Sequence, residues 1–208
     1  MWVHTKDSQD KITPVKALEL LKEGNQRFRN NLKVDRNLLK QVNLTSDGQF
    51  PFATVLSCID SRTSAELVFD QGLGDIFSIR IAGNIVNNDI LGSMEYACGI
   101  AGSKIIVVLG HTKCGAVISA CDHIQSGHLT GLLQKIKPAI DQEKTTRENR
   151  DGTNRAFVTN VSRIHVHLMM HRIREQSAIL NQLVEEGRIM VTGALYDIDS
   201  GKVTFFDH

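Results

Sequence analysis

The run Ile105-Ile-Val-Val-Leu109 is rich in β-branched residues and contains nothing polar. A run this short and this apolar is stable when both of its faces are covered, as in the central strand of a parallel sheet with helices on either side. The flanking sequence repeats that design. Phe52 to Ile59, Asp75 to Ile81 and Ile189 to Tyr196 read as further strands. Helical stretches are predicted around Ser64 to Phe69, over Ser93 to Ile100, and from Lys113 or Cys114 onward. Phe157 to Glu186 reads as one long helix or two joined by a bend. Alternation of this kind predicts an α/β fold with a mainly parallel central β-sheet flanked by helices. The turn Asp199-Ser-Gly201 followed by Val203 to Phe206 predicts a C-terminal hairpin.

Ahead of the first strand, Thr13-Pro14 supplies a cap and a proline for the first helical turn. Ala17, Leu18, Leu21 and Phe28 then recur at helical spacing. Such a stripe needs a surface, and a neighbouring subunit is expected to supply it. Asn30 to Gln49 reads as a polar connector, and Asp141 to Asn154 as a solvated loop or fraying helix end. The organisation expected is one domain over residues 1–208, with 1–48 as a projecting N-terminal helical arm.

Charge and composition narrow the function. With 24 Lys and Arg against 23 Asp and Glu, the net charge is +1, so no overall field draws the chain toward a polyanion. One Trp, two Tyr and eight Phe offer few platforms for stacking bases. Nucleic acid is therefore not an expected partner. Neither is a membrane, because no apolar run approaches spanning length. The polar opening Met1 to Lys11 carries no apolar segment of signal-peptide length, which predicts a cytoplasmic protein. In a reducing compartment Cys58, Cys98, Cys114 and Cys121 are expected as ligands or buried thiols rather than disulfides.

Two of the predicted strands end in residues that bind metals: Cys58-Ile-Asp60-Ser-Arg62 and His111-Thr-Lys-Cys114. Ligand sites in α/β sheets gather beyond the carboxyl ends of parallel strands, so adjacent strands would unite the two halves. Two thiolates and one imidazole suit zinc better than iron, and leave the fourth position to be decided. An extended backbone would put Cys58, Asp60 and Arg62 on one side. Asp60 then either fills the fourth position and closes the site, or is held by Arg62 in a bidentate pair while water takes that position. The bland alternative is two small buried cysteines, a satisfied core histidine and an ordinary salt bridge. The paired strand ends favour a metal.

Beyond these segments, the chain contains Leu21-Lys-Glu-Gly-Asn-Gln-Arg-Phe28, Arg80-Ile-Ala-Gly-Asn84, Gly92-Ser-Met-Glu-Tyr96 and Val191-Thr-Gly-Ala-Leu-Tyr196-Asp. With Cys-x-Asp-Ser-Arg and His-x2-Cys, these segments resemble the β-class carbonic anhydrases over nearly the whole chain. The resemblance implies one Zn2+ per subunit on Cys58, His111 and Cys114, with Asp60 as a conditional fourth ligand in a closed state. It implies reversible hydration of CO2 to bicarbonate and a proton through a zinc-bound hydroxide, with Asp60 and Arg62 as the catalytic dyad. Gln49 would hydrogen-bond substrate. Phe77, Ala82 and Tyr96 would line an apolar CO2 pocket, the aromatic ones contributed by a partner subunit, and backbone N–H groups near Gly115 would face the product. An obligate homodimer, sometimes doubled to a tetramer, is implied, its N-terminal helices crossing onto the partner. Val55 stands where allosteric members carry tryptophan, a departure at the family's non-catalytic bicarbonate site.

Two thiolates cancel the formal charge of zinc, so activity is expected to rise toward alkaline pH. Two rival readings share the ligand set: a zinc hydrolase of another heterocumulene such as carbon disulfide, and a structural or redox-sensing zinc protein closed by Asp60. His165, His167 and His171 are expected on a solvated or subunit-facing helix rather than in a second metal site. Cys98 and Cys121 are expected to fill small apolar spaces. Gly83, Gly92 and Gly110 read as turn or close-packing glycines, and no phosphate loop accompanies them.

Overall fold

The computed structural model describes residues 3–206; Met1 and Trp2, from the polar opening, and the last two residues lie outside that range. Its centre is a sheet of β1 (Ala53–Ser57), β2 (Ile76–Arg80), β3 (Ile105–His111), β4 (Met190–Tyr196) and β5 (Val203–Phe205), in the order β2-β1-β3-β4-β5. The first four pair in parallel, and β5 turns back antiparallel on β4 as the predicted hairpin.

Every residue of β3 is buried, and its two-residue period feeds both faces. Ile106 and Val108 join one cluster with Val166, Met169, Ile173 and Leu180. Ile105, Val107 and Leu109 join another with Ala17, Leu21 and Phe52. Each such side chain contributes about 1.5–3 kcal/mol by leaving water, which places β3 at the energetic centre of the domain.

The helices are α1 (Lys6–Asp10), α2 (Pro14–Arg29), α3 (Leu38–Leu44), α4 (Ala65–Val68), α5 (Asn88–Glu95), α6 (Gly115–Cys121), α7 (Gly127–Gln134), α8 (Lys137–Gln142), α9 (Arg155–Gln176) and α10 (Ala178–Glu185). The long C-terminal stretch is thus two helices, with Ser177 breaking the first and capping the second through Leu180 N–H. The helix expected over Ser93 to Ile100 starts earlier, where Asn87 accepts from Ile90 N–H, and continues as a π-helical turn over Tyr96–Ile100.

The surface for α2 lies in its own chain. Thr13 caps it as expected, but Ala17 and Leu21 pack on the sheet rather than on a neighbour. Asn25 pins the helix by donating to Val68 O and Gly201 O and accepting from Val203 N–H. Periodicity shows that a face is buried, not what covers it. The connector expected after residue 30 contains α3, capped by Asn37. Its Leu38, Leu39, Val42 and Leu44 are exposed, while its Gln41 is buried and accepts from Leu73 N–H.

The stretch after Asp141 is a largely exposed loop, as expected, with one exception. Glu143 is buried, and despite the desolvation that opposes its charge, donors from Thr145, Arg150 and Thr146 hold its carboxyl down at about 2. A carboxyl depressed in the folded state contributes stability that is complete above the unfolded value near 4.5 and lost as pH falls toward 2. Chemical denaturation midpoints should therefore drop less between pH 6 and pH 3 in Glu143→Gln than in the parent; equal drops would show that the carboxylate contributes nothing to acid lability.

Candidate metal centre

β1 and β3 are adjacent, with Ser57 opposite Leu109. Cys58 follows the end of β1, His111 is the last residue of β3, and Cys114 caps α6. Between the last two, Lys113 takes φ 54°, a left-handed step that turns the chain between His111 and Cys114. Ligand atoms of the three residues lie within 4.8 Å of one another, and the two sulfurs are 3.9 Å apart. All three side chains are buried.

The donor set fits a zinc ion. His111 Nδ1 is 2.9 Å from Thr112 O; a carbonyl only accepts, so Nδ1 carries the proton and Nε2 presents a lone pair. That Nε2 is buried without a hydrogen-bond partner, an expense that a cation bound by Nε2 and both sulfurs removes. The Thr112 segment is fixed in turn: its hydroxyl donates to Asp197 and its N–H to Tyr196 O. Between the two sulfurs, the Cys114 thiol donates to Cys58 and pulls the Cys58 pKa down to about 4, with further help from the backbone N–H groups of Gly83 and Asp60. One proton remains between the two sulfurs, on Cys114.

Asp60 faces this cluster without belonging to it. Its Oδ2 lies 4.0 Å from His111 Nε2 and 2.7 Å from Arg62 Nη2, and Arg62 Nε reaches Oδ1 at 2.9 Å. The bidentate pair holds the carboxyl well below the usual range, with the Arg62 side-chain hydrogen bonds as the largest cause. The expected extended backbone is not what unites these residues. β1 stops at Ser57, and residues 58–62 form a turn in which Arg62 N–H also donates to Asp60 Oδ1. Closure of a local Asx turn, not strand alternation, brings the guanidinium back to the carboxylate.

Other supports were invisible as roles in the sequence. Arg80, opposite Ser57 on β2, donates from Nε to Cys58 O and from Nη2 to Asp60 O. Thr63 donates its hydroxyl to the same two carbonyls. Gly83, in the 3-10 turn Ala82–Asn84, donates its N–H to Cys58 Sγ at 3.4 Å. The signal for Arg80 was its place at the end of a strand, which becomes informative only once β2 is paired beside β1.

The remaining expected residues are placed unequally. Ala82 adjoins Gly83, and Gly115 opens α6 directly after Cys114. Phe77 and Tyr96 meet edge-on at 6.3 Å and line a surface groove of about 850 Å³ together with Ser78, Ile79 and Arg80. Gln49 precedes β1, whose carboxyl end leads into Cys58, so roughly 16 Å of strand lies between them. Within one chain, Gln49 does not join the cluster. Of the histidines expected on a solvated helix, His165 is instead buried. Cys98 and Cys121 are buried thiols, pushed up to about 12 and about 11 by desolvation. Gly83 occupies a turn with φ 66°, and a Cβ at Gly110 would meet Val166 at 2.6 Å, whereas Gly92 has open space.

Comparison with known proteins agrees with this architecture. The family model for carbonic anhydrase matches residues 53–203. Carbonic anhydrase 2 of Mycobacterium tuberculosis is 35% identical over 202 residues, covering 94% of each chain. The carbonic anhydrase of Mycolicibacterium smegmatis is 35% identical over the same length and share. Among solved structures, a Coccomyxa β-carbonic anhydrase in complex with acetazolamide aligns with TM-score 0.72 at 20% identity, over 91% of this chain and 86% of that one. One of two β-carbonic anhydrases from Sordaria macrospora, described as tetrameric, aligns with TM-score 0.70 at 22% identity, over 80% and 85%. These structural likenesses establish the fold, and the family match runs from the start of β1 through β4 and includes both ligand segments. The chain belongs to the carbonic anhydrase family, within its β class.

Proposed function

We propose that this chain catalyses the zinc-dependent, reversible hydration of carbon dioxide to bicarbonate and a proton. The observation that carries this reading is the buried Nε2 of His111, without a hydrogen-bond partner and grouped with two cysteine sulfurs beside an Arg62-anchored carboxylate. Cys58, His111 and Cys114 would hold the ion. Zinc bound there supplies Lewis acidity that brings the ionisation of water toward neutral pH.

The chain's own residues do the rest. Asp60, kept ionised by Arg62, accepts a hydrogen bond from the attacking water through Oδ2 and directs the oxygen lone pair toward the carbon of CO2. Arg62 prevents the carboxylate from drifting into the cluster, because leaving would break two side-chain hydrogen bonds. CO2 is linear and apolar and needs a small dry surface, to which Ala82 would contribute from the same chain. N–H groups at the start of α6 near Gly115 face the bicarbonate oxygens.

Completion of the pocket requires a second copy. β2 is an edge strand; Tyr96 and Ile100, on the helix beside it, are half or more exposed, and Gln49 is exposed too. An uncovered edge of this kind favours association. A homodimer, alone or doubled to a tetramer, would bring Gln49, Phe77 and Tyr96 of one protomer to the metal centre of the other. The four free cysteines support a reducing compartment, the cytoplasm. In the described residues no helix is long and apolar enough to cross a membrane.

Three outcomes check this reading. Protein loaded with zinc and dialysed should retain about one equivalent per chain by mass spectrometry of the metal, and His111→Ala should retain little; equal retention would place the metal elsewhere. Stopped-flow hydration of CO2 should rise from neutral to alkaline pH, and Asp60→Asn should lower kcat/KM by about 10²–10⁴-fold, the range for a lost proton-handling group. A zinc-loaded parent without CO2 hydration between pH 7 and 9 would refute the assignment. Sedimentation should give a dimer or tetramer at micromolar concentration, and a stable, active monomer would contradict the shared pocket.

A further inference from the structure

The most buried histidine outside the ligand set is His165, on the inner face of α9 and 1% exposed. Its Nε2 lies 2.8 Å from Gly83 O. A carbonyl only accepts, so Nε2 carries the proton, and Nδ1, buried without a hydrogen-bond partner, is the bare nitrogen of a neutral ring. One helical turn along, Met169 Sδ accepts from Val86 N–H at 3.2 Å. Helix α9 therefore grips residues 83–86 at two points, one by donating and one by accepting.

The gripped segment needs such a hold. Gly83 and Asn84 both have positive φ, at 66° and 41°, and two successive left-handed residues make a turn that the backbone does not favour by itself. A Cβ at Gly83 would lie 2.9 Å from Ile136 Cδ1 and 3.3 Å from Ala116 Cβ, so the turn is wedged against the helices below it. Its outward result is a single contact with the metal centre, the Gly83 N–H donated to Cys58 Sγ. On the other side of Cys58, Asp60 N–H also faces the sulfur from the turn that follows, while Arg80 and Thr63 hold the Cys58 carbonyl. Gly83 N–H is thus the backbone donor that the turn delivers to this sulfur, and the turn is fastened by His165.

We propose that His165 is a positioning residue for the metal centre: by donating to Gly83 O it fixes the turn whose N–H binds the Cys58 sulfur, and thereby sets the affinity of the three-ligand site and the electron donation of that sulfur to the metal. This rests on the reading that Cys58, His111 and Cys114 hold zinc. An N–H donated to a thiolate draws charge off sulfur, and such outer partners orient a ligand as well as tuning it. Losing the tie lets the turn relax, so Cys58 becomes both less well placed and more strongly electron-donating.

The test compares His165→Leu, which keeps comparable bulk without the donor, with His165→Gln, whose side-chain amide can restore a donor to Gly83 O. Zinc affinity is read by chelator competition, and sulfur donation by the thiolate-to-cobalt charge-transfer band of the Co(II)-substituted protein. His165→Leu should weaken zinc binding by about 10–100-fold and move the band to lower energy, and His165→Gln should recover most of both. Parent-like affinity and an unmoved band in His165→Leu overturn the proposal, even if that variant is less stable. So does a His165→Gln variant as impaired as His165→Leu. A parent that fails to hold zinc refutes the underlying site reading instead, and is recognised because no variant is involved. Should His165→Leu not fold, imidazole 15N spectra of the zinc-loaded parent decide: an Nε2-protonated neutral ring supports the tie, and an Nδ1-protonated ring overturns it.

Discussion

The metal centre depends on the parallel pairing of β1 with β3. With Ser57 opposite Leu109, the next residue of one strand and the last of the other emerge at the same end of the sheet, and Cys58 meets His111. A slip of one residue would turn the side chains of β1 to the opposite face. The register is protected because both strands are buried throughout: slipping would exchange the members of two apolar clusters and not merely move a surface. Stability of the core and geometry of the site are therefore one constraint.

Around that constraint, the site is held by backbone groups more than by side-chain pairs. Cys58 is approached through its carbonyl by Arg80 and Thr63 and through its sulfur by Gly83. His111 is oriented by the carbonyl of its neighbour Thr112, itself braced by Asp197 and Tyr196. The charged side-chain pair at the site is Asp60 with Arg62, closed by a turn of a few residues. Buried sulfur and imidazole are costly when unpaired, and this density of outer contacts holds them together.

The local parts of this arrangement were legible in the chain. Strand character at Ile105 to Leu109, the capped start of α2, the C-terminal hairpin and the two ligand segments all rest on short-range chemistry, which propensity and spacing record. Errors appeared where the decisive contact leaves no periodic trace in the chain. α3 was hidden because its polar and apolar residues show no clean stripe, and its apolar side chains do point outward. Glu143 looked solvated because the Arg150 and Thr145 that surround it come from a loop with no periodicity. Cys58, Asp60 and Arg62 were expected on one face of a strand, whereas the strand ends before them and an Asx turn joins them.

By itself the sequence determined which residues could bind a metal, that two strands would present them, and that the sheet must be covered on both sides; these follow from side-chain chemistry and from apolar runs too short for anything but buried strands. Only the tertiary structure decided that α2 covers its own sheet, that Gln49 lies beyond the far end of β1 from the metal centre, and that His165 reaches across from α9 to the turn holding Cys58. Those outcomes depend on strand order and on packing between segments far apart in the chain, and no local pattern encodes which buried face will meet which.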